Sequence, residues 1–288
     1  MSSLSDIRQH LASVTQTRQI TNAMYLLSVS RLKKALLGVD HNKEYMTGLR
    51  SVMDDILFVT QGTDIHNRFF VKEDEGTALF LSVMGDKGLC GDYNTAVAQL
   101  TAEEMKKHDA PKLYCFGMVG KEKLRAKGLE ADRVLPGSSM HPSTELAREV
   151  ASALTEMYLT KEVNEVYIVY TPYSKGERKP VCFRLLPLLR EDFTDVWDNK
   201  EPTELLFEPS AEEALAHFVP LYCSGLIYGI LSQSAASENA ARMEAMQSAS
   251  SNADEMTEKL LAEMNAVRQL NITNEITEIA AAAELNGV

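Results

Sequence analysis

From Leu221 to Val288 the chain runs for 68 residues without a proline, and only Gly225, Gly229 and Gly287 interrupt a helix-favouring composition. One helix of that length would measure about 100 Å, longer than an ordinary globular core requires. The first sixty residues share the property. Alternating steps of four and three from Ile7 reach Leu11, Val14, Arg18, Thr21, Tyr25, Ser28, Leu32, Ala35, Val39, Asn42, Met46, Leu49, Met53 and Ile56, and 11 of these 15 positions are apolar. That spacing is a coiled-coil seam with a polar interruption. The same steps give Met243, Met246, Ser250, Ala253, Thr257, Leu260, Met264 and Val267 in the other segment, so the two seams are expected to face each other.

A folded segment between the two rods lets the chain leave along one and return along the other, which predicts an antiparallel pair. A first helix from about Ser3 to Phe58 has 56 residues, and 56 counted back from Val267 reach Glu212, just after the Glu208-Pro209-Ser210 break. If both helices leave the body together, Arg268 to Val288 protrude alone. There the old seam positions become Asn271 and Asn274, while Ile272, Ile276, Ile279 and Ala283 form a new stripe. A stripe that changes face implies a changed neighbour, and an exposed isoleucine stripe implies that another protein surrounds it.

The middle alternates short apolar runs, Thr77 to Met84, Lys112 to Val119 and Glu165 to Tyr170, with helix-like segments at Tyr93 to His108, Gly120 to Lys127 and Pro142 to Leu159. Such runs are the mark of strands covered on both faces, and the alternation predicts a mostly parallel sheet. Val181 to Leu186 is expected to pair back on residues 165–171 through the Lys175-Gly176 turn. The expected divisions are a long helix over 1–60, an α/β body over 61–210 and a second long helix with a protruding tip over 211–288.

Chemistry is hard to place in this chain. Gly85-Asp86-Lys87-Gly88-Leu89-Cys90-Gly91 follows the first strand but has neither the P-loop nor the dinucleotide glycine spacing, and Asp86 and Asp92 would repel phosphate; its glycines are expected to permit a tight strand-to-helix connection. Four scattered cysteines and six scattered histidines show no metal-ligand spacing. No hydrolase motif is present, so neither catalytic residue nor cofactor nor metal is expected. The net charge of −12 disfavours nucleic acid. It is unevenly spread: residues 1–60 hold seven Lys/Arg against five Asp/Glu, residues 210–288 three against eleven, which favours pairing of the two rods. No run approaches the 18 apolar residues needed to cross a bilayer, and no signal-peptide core opens the chain; a soluble protein with free thiols is the expectation. A small-molecule enzyme with a coiled-coil arm and an unrelated coiled-coil adaptor both remain open on these grounds.

Three stretches together are more specific. Ser5 to Met24, closing on Gln19-Ile20-Thr21-Asn22-Ala23-Met24, the Gly85 to Gly91 loop, and Ser237-Glu238-Asn239-Ala240-Ala241-Arg242 followed by Arg268-Gln269 and Ile272 to Ile279 resemble the gamma-subunit family of F-type ATP synthases, end to end and in order. The resemblance implies an antiparallel coiled coil of terminal helices around a Rossmann-like three-layer α/β body, acting as a noncatalytic rotor shaft. It implies three alpha and three beta subunits, an epsilon subunit and a c-subunit ring as partners, with membrane contact only through the complex. No transit peptide is seen before the first helix, so the cytoplasmic face of a bacterial inner membrane is the expected location. Carried over residue by residue, the motifs assign coupling and partner contacts to Met24, Arg242, Arg268, Gln269, Thr273, Glu275 and Glu278. Ile272, Ile276 and Ile279 become the sleeve-facing tip, and Leu206, Phe207 and Glu208 a foot against the c ring. The chain departs from the family at Asn22 and near Ala266, where relatives commonly have Lys, and at Asp92, where they have Gly.

Overall fold

The computed structural model describes residues 3–60, 67–73, 76–135, 141–193, 207–208 and 210–285. They fall into two compact units, one of residues 29–241 and one of residues 1–28 with 242–288. Two long helices contribute to both: α1, Leu4–Val59, and α5, Ala211–Leu285.

In the larger unit a five-stranded sheet runs in the order β3-β2-β1-β4-β5. Its strands are β1 (Ala78–Val83), β2 (Lys112–Phe116), β3 (Arg133–Val134), β4 (Glu165–Tyr170) and β5 (Val181–Leu186). The first four are parallel, and β5 lies antiparallel on β4 with Tyr170 opposite Val181. Helices α2 (Tyr93–Met105), α3 (Met118–Ala126) and α4 (Thr144–Leu159) connect them. Side chains alternate along a strand, and β1 divides accordingly. Leu79, Leu81 and Val83 join a core with α4, the end of α1 and the start of α5, whereas Ala78 and Phe80 join a second core with α2 and α3. Burial on both faces is why these strands read as continuous apolar runs.

Several element boundaries differ from the sequence expectation, among them the end of the second strand and the start of the fourth helix. The second strand stops at Phe116 because Gly117, at φ +90°, turns the chain where a Cβ would meet the Met84 and Gly85 carbonyls, so Met118 and Val119 open α3 instead. The fourth helix begins at Thr144 rather than Pro142, with the Ser143 hydroxyl accepting from the Leu146 amide at 3.2 Å. Helix α5 continues through Pro220, which removes a backbone bond; Leu215, Val219, Tyr222 and Cys223 are all core residues there, and their packing holds both sides of the proline. The membrane reading also needs correction. Helix α5 contains an 18-residue stretch that is long and apolar enough to cross a membrane by length and composition alone. Half of that stretch is buried, and Ile227, Ile230 and Leu231 are core residues.

The smaller unit is the antiparallel pairing of residues up to 28 of α1 with α5 from residue 242 onward. Ile7, Val14, Ala253 and Leu260 form its buried seam, with Leu11, Met264 and Val267 packed against them. Thr21 and Ser28 are also buried, their hydroxyls donating to the carbonyls of Arg18 and Met24 at 3.0 and 2.8 Å, so the polar seam positions satisfy themselves within the helix.

Candidate coupling site

Helix α5 changes environment abruptly at Arg268. Arg18 forms an ion pair with Asp254 across the antiparallel pair. Stepping fourteen residues back from Arg18 reaches Leu4, and fourteen forward from Asp254 reaches Arg268, so the described start of α1 lies level with Arg268. Every residue from Arg268 to Ala282 is exposed. The isoleucine stripe is bare, with Ile272 at 45%, Ile276 at 61% and Ile279 at 70% exposure. Thr273 and Thr277 hydroxyls donate to the carbonyls of Gln269 and Thr273 at 2.9 and 2.8 Å, so these two side chains are satisfied within the helix.

The other coupling candidates of this unit sit elsewhere. Met24 is half-buried and Arg242 is only 3% exposed. By the same register Met24 lies level with Ser248, about 9 Å along the helix from Arg242. Arg268 is about 39 Å from Arg242 along α5. The structure thus separates the candidates into a Met24 and Arg242 group and a tip group of Arg268, Gln269, Thr273, Glu275 and Glu278, all five exposed.

Within the larger unit, the Gly85 to Gly91 loop is brought against the Ser234 to Ala241 stretch of α5. A Cβ on Gly85 would lie 2.6 Å from Glu238 Oε1, so glycine is required by close approach of a buried carboxylate. The Tyr93 hydroxyl donates to the Ser234 carbonyl at 3.3 Å, and Cys90, Tyr93 and Ala241 pack together. The loop is braced internally: Asn94 Oδ1 accepts from the Gly85 amide at 2.8 Å, Asn94 Nδ2 donates to Cys90 Sγ at 3.4 Å, and Asp86 Oδ1 accepts from the Met118 amide at 3.3 Å. Lys87, Gly88 and Leu89 form its outer turn, with Leu89 at φ 61°. The Gly85 amide and the Asp86 carboxylate thus tie the loop to α2 and the start of α3, while Tyr93 and Cys90 hold it against α5. Sequence reasoning did not foresee this docking. The signal was there in the run Ser232, Ser234, Ser237, Glu238 and Asn239, polar residues in a helix otherwise rich in seam positions, all of them buried.

Of the foot residues, Phe207 is half-buried against the larger core and Glu208 is exposed, while Leu206 lies outside the described residues. Among the described residues no group of three His, Cys, Asp or Glu is placed to hold a metal. Burial pushes the Cys115 and Cys182 thiols up to about 11 and that of Cys223 to about 12, so these side chains stay protonated and unreactive at neutral pH.

The ATP synthase family profile matches residues 3–285. The ATP synthase gamma chain of Caldanaerobacter subterraneus subsp. tengcongensis is 38% identical over 294 residues, covering 97% of this chain and 99% of the relative. That of Ruminiclostridium cellulolyticum is 36% identical over 293 residues, covering 97% of each. The chain belongs to the ATP synthase gamma-chain family. The fold is shared with a chain of the Euglena gracilis mitochondrial ATP synthase OSCP/F1/c-ring assembly, at TM-score 0.66 and 16% identity over 99% of this chain and 96% of that one. It is also shared with a chain of the Tetrahymena thermophila central stalk and c-ring assembly, at TM-score 0.59 and 22% identity over 80% and 99%. For a member of the gamma-chain family, an exposed tip and a latched body loop are the two features that need a partner or a packing explanation. The loop has the second.

Proposed function

We infer that this chain is the central rotor shaft of an F-type ATP synthase, a noncatalytic subunit that couples ion flow through a membrane ring to ATP synthesis in the surrounding catalytic subunits. The observation that carries the reading is the bare helix from Arg268 to Ala282 in a chain that matches the family along its length. An exposed apolar stripe on a helix is the kind of surface that an enclosing partner covers. The sleeve is an alpha3/beta3 hexamer, with an epsilon subunit and a c ring at the body. Phe207 and Glu208, with Leu206, make the foot on that ring. The complex sits on the cytoplasmic side of a bacterial inner membrane.

The coupling mechanism is differential contact. A rod that touches three equivalent catalytic sites differently biases each toward a different conformation, and rotation moves the bias on. Driving a site from 1:99 to 99:1 takes about 5.5 kcal/mol of differential affinity. Burying the exposed part of Ile272, Ile276 and Ile279 supplies on the order of 1 kcal/mol each, which is not enough alone. Arg268, Gln269, Thr273, Glu275 and Glu278 supply the rest through polar contacts made in some rotational positions and not in others, and Met24 and Arg242 act at a second level of the shaft.

Deleting residues 268–288 tests this. Mixed with alpha and beta subunits, the full chain is expected to restore ATPase activity and the truncated chain to do so weakly, with an unchanged melting profile for the body. Full coupling by the truncated chain refutes the role of the tip, and nucleotide turnover by the isolated chain refutes the noncatalytic assignment.

A further inference from the structure

The larger unit holds an open cleft of about 380 Å³ between α1, α5 and the β4–β5 hairpin. Tyr170 and Phe183 from the hairpin and Leu226 from α5 give it an apolar, partly aromatic wall. Its charge is one-sided: Lys43 and Arg50 line it and no carboxylate does, in a chain of net charge −12. Lys43 makes no ion pair among the described residues. Arg50 is positioned by donating Nη2 to the Asp192 carbonyl at 2.9 Å and by lying 5.6 Å from the Phe193 ring centre, and the Asp192 carboxylate is already taken by Arg184 at 2.7 Å.

Two further lining residues are more than nine-tenths buried, Asn42 at 9% and Tyr222 at 5% exposure. The Asn42 amide and the Tyr222 hydroxyl make no hydrogen bond among the described residues, and neither is a fully enclosed polar atom, so both keep access to the open cleft. The amide fills the notch at Gly229, where a Cβ would collide with Asn42 Nδ2, so the close approach of α1 and α5 at the edge of the cleft needs glycine. An apolar cavity of a few hundred Å³ with a few convergent polar groups is the usual form of a small-molecule site.

We propose that this cleft binds a small amphipathic anion, an aliphatic or aromatic body of on the order of a dozen heavy atoms ending in a carboxylate. The body lies on Tyr170, Phe183 and Leu226. Lys43 and Arg50, seven residues apart and so on one face of α1, flank the head, and Asn42 and Tyr222 offer it hydrogen bonds.

The probe is sodium decanoate below its micellar range, titrated into the isolated full chain by calorimetry and by methyl NMR of Met46, which also lines the cleft. One saturable site is expected, with decanol binding at least fivefold more weakly, K43Q weakening decanoate about three- to tenfold and K43R retaining it. T47W, which fills the mouth from an exposed helix position, is expected to abolish binding without disturbing the core. Absence of binding, non-saturating uptake, equal binding of decanol, or undiminished binding to T47W overturns the proposal. None of these outcomes bears on the rotor reading, because no other subunit is present.

Discussion

Replacing Gly85 by alanine separates two opposite expectations. Gly85 has no left-handed backbone conformation to protect, so on backbone grounds alone G85A should stabilise the chain by about 0.4–1 kcal/mol through the unfolded state. Packing predicts the reverse. The new methyl would stand 2.6 Å from Glu238 Oε1 and 2.8 Å from its Cδ, and Glu238 is fully buried, so making room means moving a carboxylate inside the packed interior. Overpacking of this kind costs about 1–3 kcal/mol, giving a net loss of roughly 0–2.6 kcal/mol once the backbone gain is subtracted. Urea unfolding followed by tyrosine near-UV dichroism reads it, since Tyr93 reports on the loop. A double-mutant cycle with E238A makes the cause specific: whatever E238A costs by itself cancels, and a coupling energy above about 1 kcal/mol is expected between contacting residues. A stabilised G85A, or additive losses, would show that the loop does not bear on α5 as described.

Two further outcomes follow from the same geometry. The folded-state thiols of Cys115, Cys182 and Cys223 lie at about 11, 11 and 12 against an ordinary 9.0, and the Tyr158 and Tyr167 hydroxyls at about 12 against 10.0, all chiefly through burial. A raised folded value means stability fully present below the unfolded value and lost as pH climbs through the folded one. Melting temperature should therefore be indifferent to these groups up to about pH 9 and fall from there toward pH 12, and a profile flat to pH 11 would contradict their burial. Second, R18Q should cost less than about 0.5 kcal/mol, because Arg18 and Asp254 are each about half exposed, at 52% and 50%; a loss of several times that in a chemical melt would mean the pair is not solvated.

The seam was legible because a helix imposes a period on one face. Of the positions stepped off from Ile7, only Arg18 is exposed, and Thr21, Ser28 and Asn42 are buried despite being polar. The strands were legible because both their faces are covered, and β4 and β5 have the expected ends. Arg133–Val134 was not legible: two residues have no period, and the strand exists because the Leu135 amide finds the Cys115 carbonyl at 2.9 Å. The docking of Gly85 on Glu238 was invisible for a different reason. Spacing along a chain reports which face of an element is apolar, not which polar residue of a distant helix will lie against a loop. The cleft at Asn42 and Gly229 is of the same kind, a consequence of two helices and a hairpin meeting. The Leu206 part of the foot lies outside the described residues.

The tip should also declare its dependence on a partner by its motion. Helicity in proteins comes mostly from packing of an apolar face, and isolated helices of about 12–15 residues are marginal in water. Arg268 to Leu285 is a short helix in this sense, because its seam companion ends level with its first residue. Its sequence adds to the difficulty: Ile272, Thr273, Ile276, Thr277 and Ile279 are β-branched, and Asn271 and Asn274 are weak helix formers. Only its anchoring to the nucleated helix at Ala253 and Leu260 and the run of alanines after Ile279 favour order. Amide hydrogens beyond about Asn271 are therefore expected to exchange in the isolated chain within one or two orders of magnitude of an unfolded peptide, while those around Ala253 to Leu260 exchange far more slowly. Addition of alpha and beta subunits should then protect the tip selectively, since burial of the isoleucine stripe is what the lone helix lacks. Protection of 271–282 equal to that of the seam in the isolated chain would show that the tip carries its own stability, and the argument from its exposed apolar face to an enclosing partner would fail at its first step.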